Sequence, residues 1–186
     1  MDDRRDPGQG TGKEAPERRA PAAEGTTEAE AVVFVCLTCE VPLTGPLSRL
    51  PAVPGLPHYE WWEAEEPGPS PSTVPAGCYA IETEPYGAPL VVSRLPVQVM
   101  PRYGAMSDEG GQWLVSQGPR GNIVINPDDA RGLEYHHASP ACCGAAPTGG
   151  MNQRCPCGTL VATLSSDCCR PYELHFSADH VRAVRP

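Results

Sequence analysis

The sequence predicts a mainly β protein: one small domain of short strands over residues 32–186, with long proline-rich loops and a disordered tail over 1–31. Three observations carry this expectation. Six of the nine cysteines fall within the 28 residues from Cys142 to Cys169. The chain contains 23 prolines and 19 glycines but two phenylalanines, so long helices are interrupted and few large rings are available to fill a core. The apolar residues come in short runs bounded by Gly, Pro, Asn or Asp, which is the pattern of strands between turns.

The cysteines show what supports such a fold. In Cys155-Pro156-Cys157-Gly158, two sulfurs leave a tight turn together, and Gly158 tolerates the positive φ that such a turn needs. Far upstream, the apolar run Val32-Val33-Phe34-Val35 leads straight into Cys36-Leu37-Thr38-Cys39. CLTCEVPLT and CPCGTLVAT share paired cysteines followed by apolar residues and a threonine. Cysteine pairs on turns supply two of the four thiolates of a tetrahedral zinc site. Cys36, Cys39, Cys155 and Cys157 are therefore the first candidates for one shared zinc, in two zinc-ribbon-like knuckles. Residues 40–154 lie between the pairs, but loop-closure entropy grows only logarithmically with length. Cys142, Cys143 and Cys168 are candidates for a second site, with His175 as a further donor, or for replacing the upstream pair around a single local ion. Adjacent residues in extended chain face opposite ways, so one member of Cys142-Cys143 and of Cys168-Cys169 reaches a shared ion more easily than both. His136 and His137 are weaker candidates.

Disulfides are the competing use of cysteine. Nine is an odd number, and Met1 is followed by the charged DDRRD, not by the apolar segment of a secretory signal. A reducing, cytoplasmic setting is the expectation. The slightly negative mean hydropathy and modest aliphatic content leave burial alone short of holding the domain, and metal clips would make up the deficit.

Residues 1–31 have no aromatic side chain and, beyond Met1, no large aliphatic one, so they bury too little to offset ordering entropy. Val41–Pro57 carries five prolines and is expected to run extended across the surface. Residues 58–66 combine Tyr59, Trp61 and Trp62 with four glutamates, read as a cover over a small core, and 67–75 is a Pro/Ser-rich loop. Cys78–Glu82 and Leu90–Leu95 read as strands separated by a turn at 85–87. Gln112–Gln117 and Asn122–Ile125, joined by Gly118-Pro119-Arg120-Gly121, predict a hairpin. Asn126–Gly132 predicts one helical turn capped by Asn126 with Pro127 at its first position. Thr159–Leu164 and Tyr172–Phe176 read as strands, and Ser177–Val181 as a short capped turn.

On Phe34-Val35-Cys36-Leu37-Thr38-Cys39 with Pro42-Leu43-Thr44, Asn126-Pro127-Asp128-Asp129, Cys142-Cys143-Gly144, Asn152, Cys155-Pro156-Cys157-Gly158, Val161-Ala162-Thr163 and Asp167-Cys168, the chain resembles a group of small cysteine-rich, zinc-ribbon-like actinobacterial proteins of no assigned activity. The resemblance spans most of residues 32–184. It implies metal binding and supplies no catalytic residue. It also implies a glycine after the first knuckle, where this chain has Glu40.

Three functions remain open on these residues. The first is a non-catalytic zinc-binding structural or protein-interaction module. The second is a thiol redox protein or sensor cycling a CxxC or CxC pair, for which Arg154 beside Cys155 and Arg170 beside Cys169 would lower a thiol pKa. The third is a catalytic zinc hydrolase, which wants an open position and usually His or carboxylate ligands; no H-E-x-x-H occurs. A net charge of −9 with Lys13 the only lysine argues against nucleic acid and leaves another protein as the expected partner. No apolar run approaches the ~20 residues of a membrane-spanning helix.

Overall fold

The computed structural model describes residues 30–59, 62, 70–137, 141, 143–168 and 170–186. All but the end of the expected tail, much of the aromatic and acidic 58–66 segment, the start of the 67–75 loop, Cys142 and Cys169 lie outside these. Among the described residues the chain is mainly β. Its first six strands are β1 (Val33–Cys36), β2 (Ser48–Arg49), β3 (Cys78–Glu82), β4 (Leu90–Val92), β5 (Met106–Ser107) and β6 (Trp113–Ser116). The next six are β7 (Asn122–Ile125), β8 (Glu134–Tyr135), β9 (Gln153–Arg154), β10 (Leu160–Ser165), β11 (Glu173–Phe176) and β12 (Val181–Val184). One sheet runs β2-β3-β7-β11-β10-β9-β8, a second runs β4-β6-β5, and β1 pairs with β12 as a separate ribbon.

The centre of the large sheet follows from its residues. β7, Asn-Ile-Val-Ile, is buried at every position and needs neighbours on both edges, which β3 and β11 provide. On β11, alternation sends Leu174 and Phe176 into a core with Phe34, Leu43, Leu47, Ile125 and Val161. Phe34 stacks on Phe176 at 6.4 Å and meets Tyr79 edge-on at 5.0 Å. The alternate residues, Glu173 and His175, face the other way and are also buried, because Tyr86 lies flat on the His175 ring at 3.5 Å. Tyr86 belongs to a second apolar cluster with Val99, Met100 and Tyr103.

Three expectations are corrected. The 112–117/122–125 hairpin does not form: β6 pairs with β4 and β5, and β7 joins the large sheet. The intervening loop crosses between sheets, tied by bonds from Tyr86 N–H to Pro119 O and from Gln117 N–H to Pro89 O. Local turn chemistry lost to the burial demanded by Ile123, Val124 and Ile125. The 41–57 segment does not simply lie across the surface, since Leu43 and Leu47 are fully buried and Val32 exchanges hydrogen bonds with Leu47. The 177–181 turn is real, with Ser177 Oγ accepting from Asp179 N–H, but it launches β12, whose partner β1 lies at the opposite end of the described chain. The 126–132 prediction fares better: Pro127–Asp129 is a single 3-10 turn and Asn126 accepts from Asp128 N–H, although the turn ends at Ala130.

Phe176 is completely buried where the ribbon meets the large sheet, so Phe176→Ala is expected to cost ~3–5 kcal/mol. Exposed Val92→Ala is expected to stay within about 0.5 kcal/mol. Urea unfolding midpoints of the two variants at equal slope check the difference.

Candidate metal centre

β1 delivers Cys36 to the end of the ribbon, where it pairs with Val181, and Leu37 N–H donates to His180 O just beyond. The chain then turns back on itself. Glu40 N–H donates to Cys36 O at 2.9 Å and Cys36 N–H donates to Val41 O at 3.1 Å. The second turn, between β9 and β10, repeats the scheme: Gly158 N–H donates to Cys155 O at 2.8 Å and Cys155 N–H to Thr159 O at 2.9 Å. In both turns the residue after the second cysteine has positive φ, 60° at Glu40 and 92° at Gly158. Glycine takes that conformation freely. Glu40 takes it at a cost of roughly 1–2 kcal/mol, partly offset by its carboxylate, which lies 2.6 Å from Arg182 on β12.

The two turns face each other. Cys36 Sγ lies 3.8 Å from Cys157 Sγ and Cys39 Sγ lies 3.4 Å from Cys155 Sγ, and all four sulfurs are within 4.8 Å of one another. These separations are far beyond the ~2.05 Å of a disulfide. They approach the edge of a tetrahedron with ~2.3 Å metal–sulfur bonds, which is about 3.8 Å. The four thiols could therefore hold one metal ion. Outside the sulfurs the Thr38 and Thr159 hydroxyls meet at 3.0 Å, a further tie between the turns.

Cys155 and Cys157 differ in how readily they ionise. Hydrogen bonding to the Thr159 hydroxyl, 3.4 Å away, and to the Thr159 backbone draws the exposed Cys157 down to about 6. Burial pushes Cys155 up to about 12. At neutral pH, then, Cys157 offers a thiolate for first capture of a cation, while Cys155 gives up its proton only when the cation is in place.

The remaining candidates fall elsewhere. Cys143 and Cys168 come together with the Asp167 carboxylate, apart from the knuckles, and Cys142 lies outside the described residues. Among the described residues His175 joins no sulfur group: its Nε2 sits 2.8 Å from Glu173 Oε2 beneath Tyr86. His136 and His137 meet each other edge-on and are exposed.

Sequence reasoning missed the buried polar group around Glu173. Thr73 donates to Glu173 Oε1, and Arg102 Nη2 lies 3.0 Å from the same oxygen and 3.4 Å from Glu82. Burial alone would raise the Glu173 pKa. The hydrogen bond and charge of His175, the Arg102 guanidinium and the Thr73 hydroxyl outweigh it and hold the carboxyl below its ordinary value. The alternation of Tyr172-Glu173-Leu174-His175-Phe176 is the one sequence signal that could have found it, since it puts an acid and a histidine on one face of a strand.

Comparison with protein-family models, with curated proteins and with solved structures finds no match.

Two outcomes follow. A carboxyl with a depressed folded pKa contributes stability above its unfolded pKa and loses it as pH falls through the folded value. Stability is therefore expected to drop as pH falls below the ordinary glutamate range, and Glu173→Gln to be less stable at neutral pH with a flatter acid limb; thermal melts across that range check both. Zinc binding at the four-cysteine centre near neutral pH is expected to release protons, with Cys155 giving up its own and Cys157 contributing little. Calorimetric titration in buffers of different ionisation enthalpy measures that release.

Proposed function

We propose that the protein is a non-catalytic zinc module in which Cys36, Cys39, Cys155 and Cys157 hold one ion. The observation that carries this reading is the facing of the two turns, with cross-turn sulfur separations of 3.8 and 3.4 Å. Zinc suits four thiolates in a tetrahedron, and a sphere filled by four cysteines leaves no position for water or substrate, which favours a structural over a hydrolytic role. Such a centre ties the first described strand to the β9–β10 turn, whereas the sheet pairing of β1 joins it to the last strand, β12. Free thiols of this kind belong in a reducing compartment such as the cytoplasm.

The partner this reading favours is another protein. Leu37 and Val41 stand exposed on the first knuckle, and a chain of net charge −9 repels phosphate backbones. Among the described residues, no helix is long and apolar enough to cross a membrane.

One observation favours a second reading, a thiol redox protein: Cys157 is exposed and ionises at about 6, as a reactive cysteine does. Alkylation separates the two. In zinc-loaded protein all four sulfurs are expected to label slowly, and after chelation Cys157 first. Rapid labelling of Cys157 with zinc bound, together with a reversible disulfide to a neighbouring cysteine, supports redox use instead.

Structural zinc in small modules contributes ~10–16 kcal/mol of apparent binding energy, against a typical domain stability of ~5–15 kcal/mol. Cys36→Ser is therefore expected to lose the ion from this centre and the cooperative thermal transition together. A Cys36→Ser protein that keeps this ion and melts like wild type contradicts the reading.

A further inference from the structure

Away from the knuckles, two chain segments are pressed together more closely than ordinary side chains allow. Ser166 N–H donates to Ala145 O at 3.0 Å and Ala145 N–H donates to Ser166 Oγ at 2.9 Å. Between them Gly144 lies so near that a Cβ there would sit 2.2 Å from Ser166 O and 2.5 Å from Ser166 C. Only glycine permits this approach. The end of β10 that carries the second segment is itself fixed: Asn152 accepts from Leu164 N–H at 2.7 Å and donates to Leu164 O at 3.0 Å.

The result of this clamping is a convergence of three donors. Cys143 Sγ, a carboxylate oxygen of Asp167 and Cys168 Sγ lie within 4.8 Å of one another. Cys168 N–H donates to Cys143 Sγ at 3.0 Å. Asp167 is buried, with Oδ1 3.6 Å from Cys168 Sγ. Their mutual spacing is that of three ligands able to reach one ion.

We propose that Cys143, Asp167 and Cys168 form a second metal site, separate from the four-cysteine centre, for zinc or a divalent ion of similar softness. Two thiolates and a carboxylate suit such an ion and leave one tetrahedral position to solvent or to a further donor. Cys168 also lines a cleft of about 280 Å³ whose wall includes Trp62, Arg102 and Arg170, so the ion sits at the edge of an accessible space. With fewer thiolates around it and Cys143 exposed, it exchanges faster than the ion at the knuckles.

The test is zinc stoichiometry on the reduced full-length chain. Wild type, Cys143→Ser, Asp167→Ala and Cys36→Ser are loaded with zinc without oxygen, desalted, and measured by native mass spectrometry and atomic emission. Wild type is expected to carry two ions and the Cys143→Ser and Asp167→Ala proteins one each, the Cys143→Ser protein keeping a cooperative melt because Cys143 lies on the surface. A chelator of intermediate strength is expected to remove one ion from wild type well before the other. A wild type carrying one ion that Cys143→Ser retains and Cys36→Ser loses overturns this site and leaves the knuckle centre standing. Two ions retained in both Cys143→Ser and Asp167→Ala, or a Cys143–Cys168 disulfide in peptides from protein isolated without reductant, overturns it equally.

Discussion

The contact between two cysteine turns separated by residues 40–154 is the constraint on which the rest of the structure depends. Each turn is locally complete, closed by the same pair of backbone bonds around a residue of positive φ. Neither offers more than two sulfurs. Their meeting sets where β1 lies, because Cys36 is at once the last residue of that strand and one of the four facing thiols. From β1 the constraint spreads to β12 through the ribbon and to the core through Phe34, which touches both Tyr79 and Phe176. Few large side chains are available here, so fixing one apolar strand at its end does what additional burial would do in a larger protein.

The opposite face of the large sheet is held differently. Glu173 and His175 are buried as a hydrogen-bonded pair, capped by Tyr86 and neutralised by Arg102. A buried charge of this kind penalises arrangements in which Arg102 is elsewhere more than it adds to stability over an apolar pair. It thereby fixes how the segment carrying Arg102 seats on the sheet, while the sulfurs fix the ribbon. Arg102 itself has φ of 60°, a conformation uncommon outside glycine and held here by its ties to Glu82, Glu173 and Pro54 O.

What was legible in the sequence was local. Cysteine spacing marked both turns, alternating apolar residues marked β3, β10 and β11, and Asn126-Pro127 marked a capped turn that formed. The strand into the first knuckle was visible too, shifted by one residue. What failed was pairing. Gln112–Ile125 looked like a hairpin because its turn residues suit one, yet Asn122–Ile125 is buried on both faces and is claimed by β3 and β11. β12 was hidden because Val-Arg-Ala-Val acquires meaning only beside β1. Asp167 went unnoticed as a donor beside Cys143 because the contact depends on Gly144 approaching Ser166, which no spacing rule encodes.

The most direct test of the central claim is a through-bond correlation between the ion and its ligands. In protein substituted with spin-active cadmium, the account predicts one metal resonance that couples to the β-protons of Cys36, Cys39, Cys155 and Cys157 together. Separate metal resonances, each coupled to only one of the two turns, would contradict it.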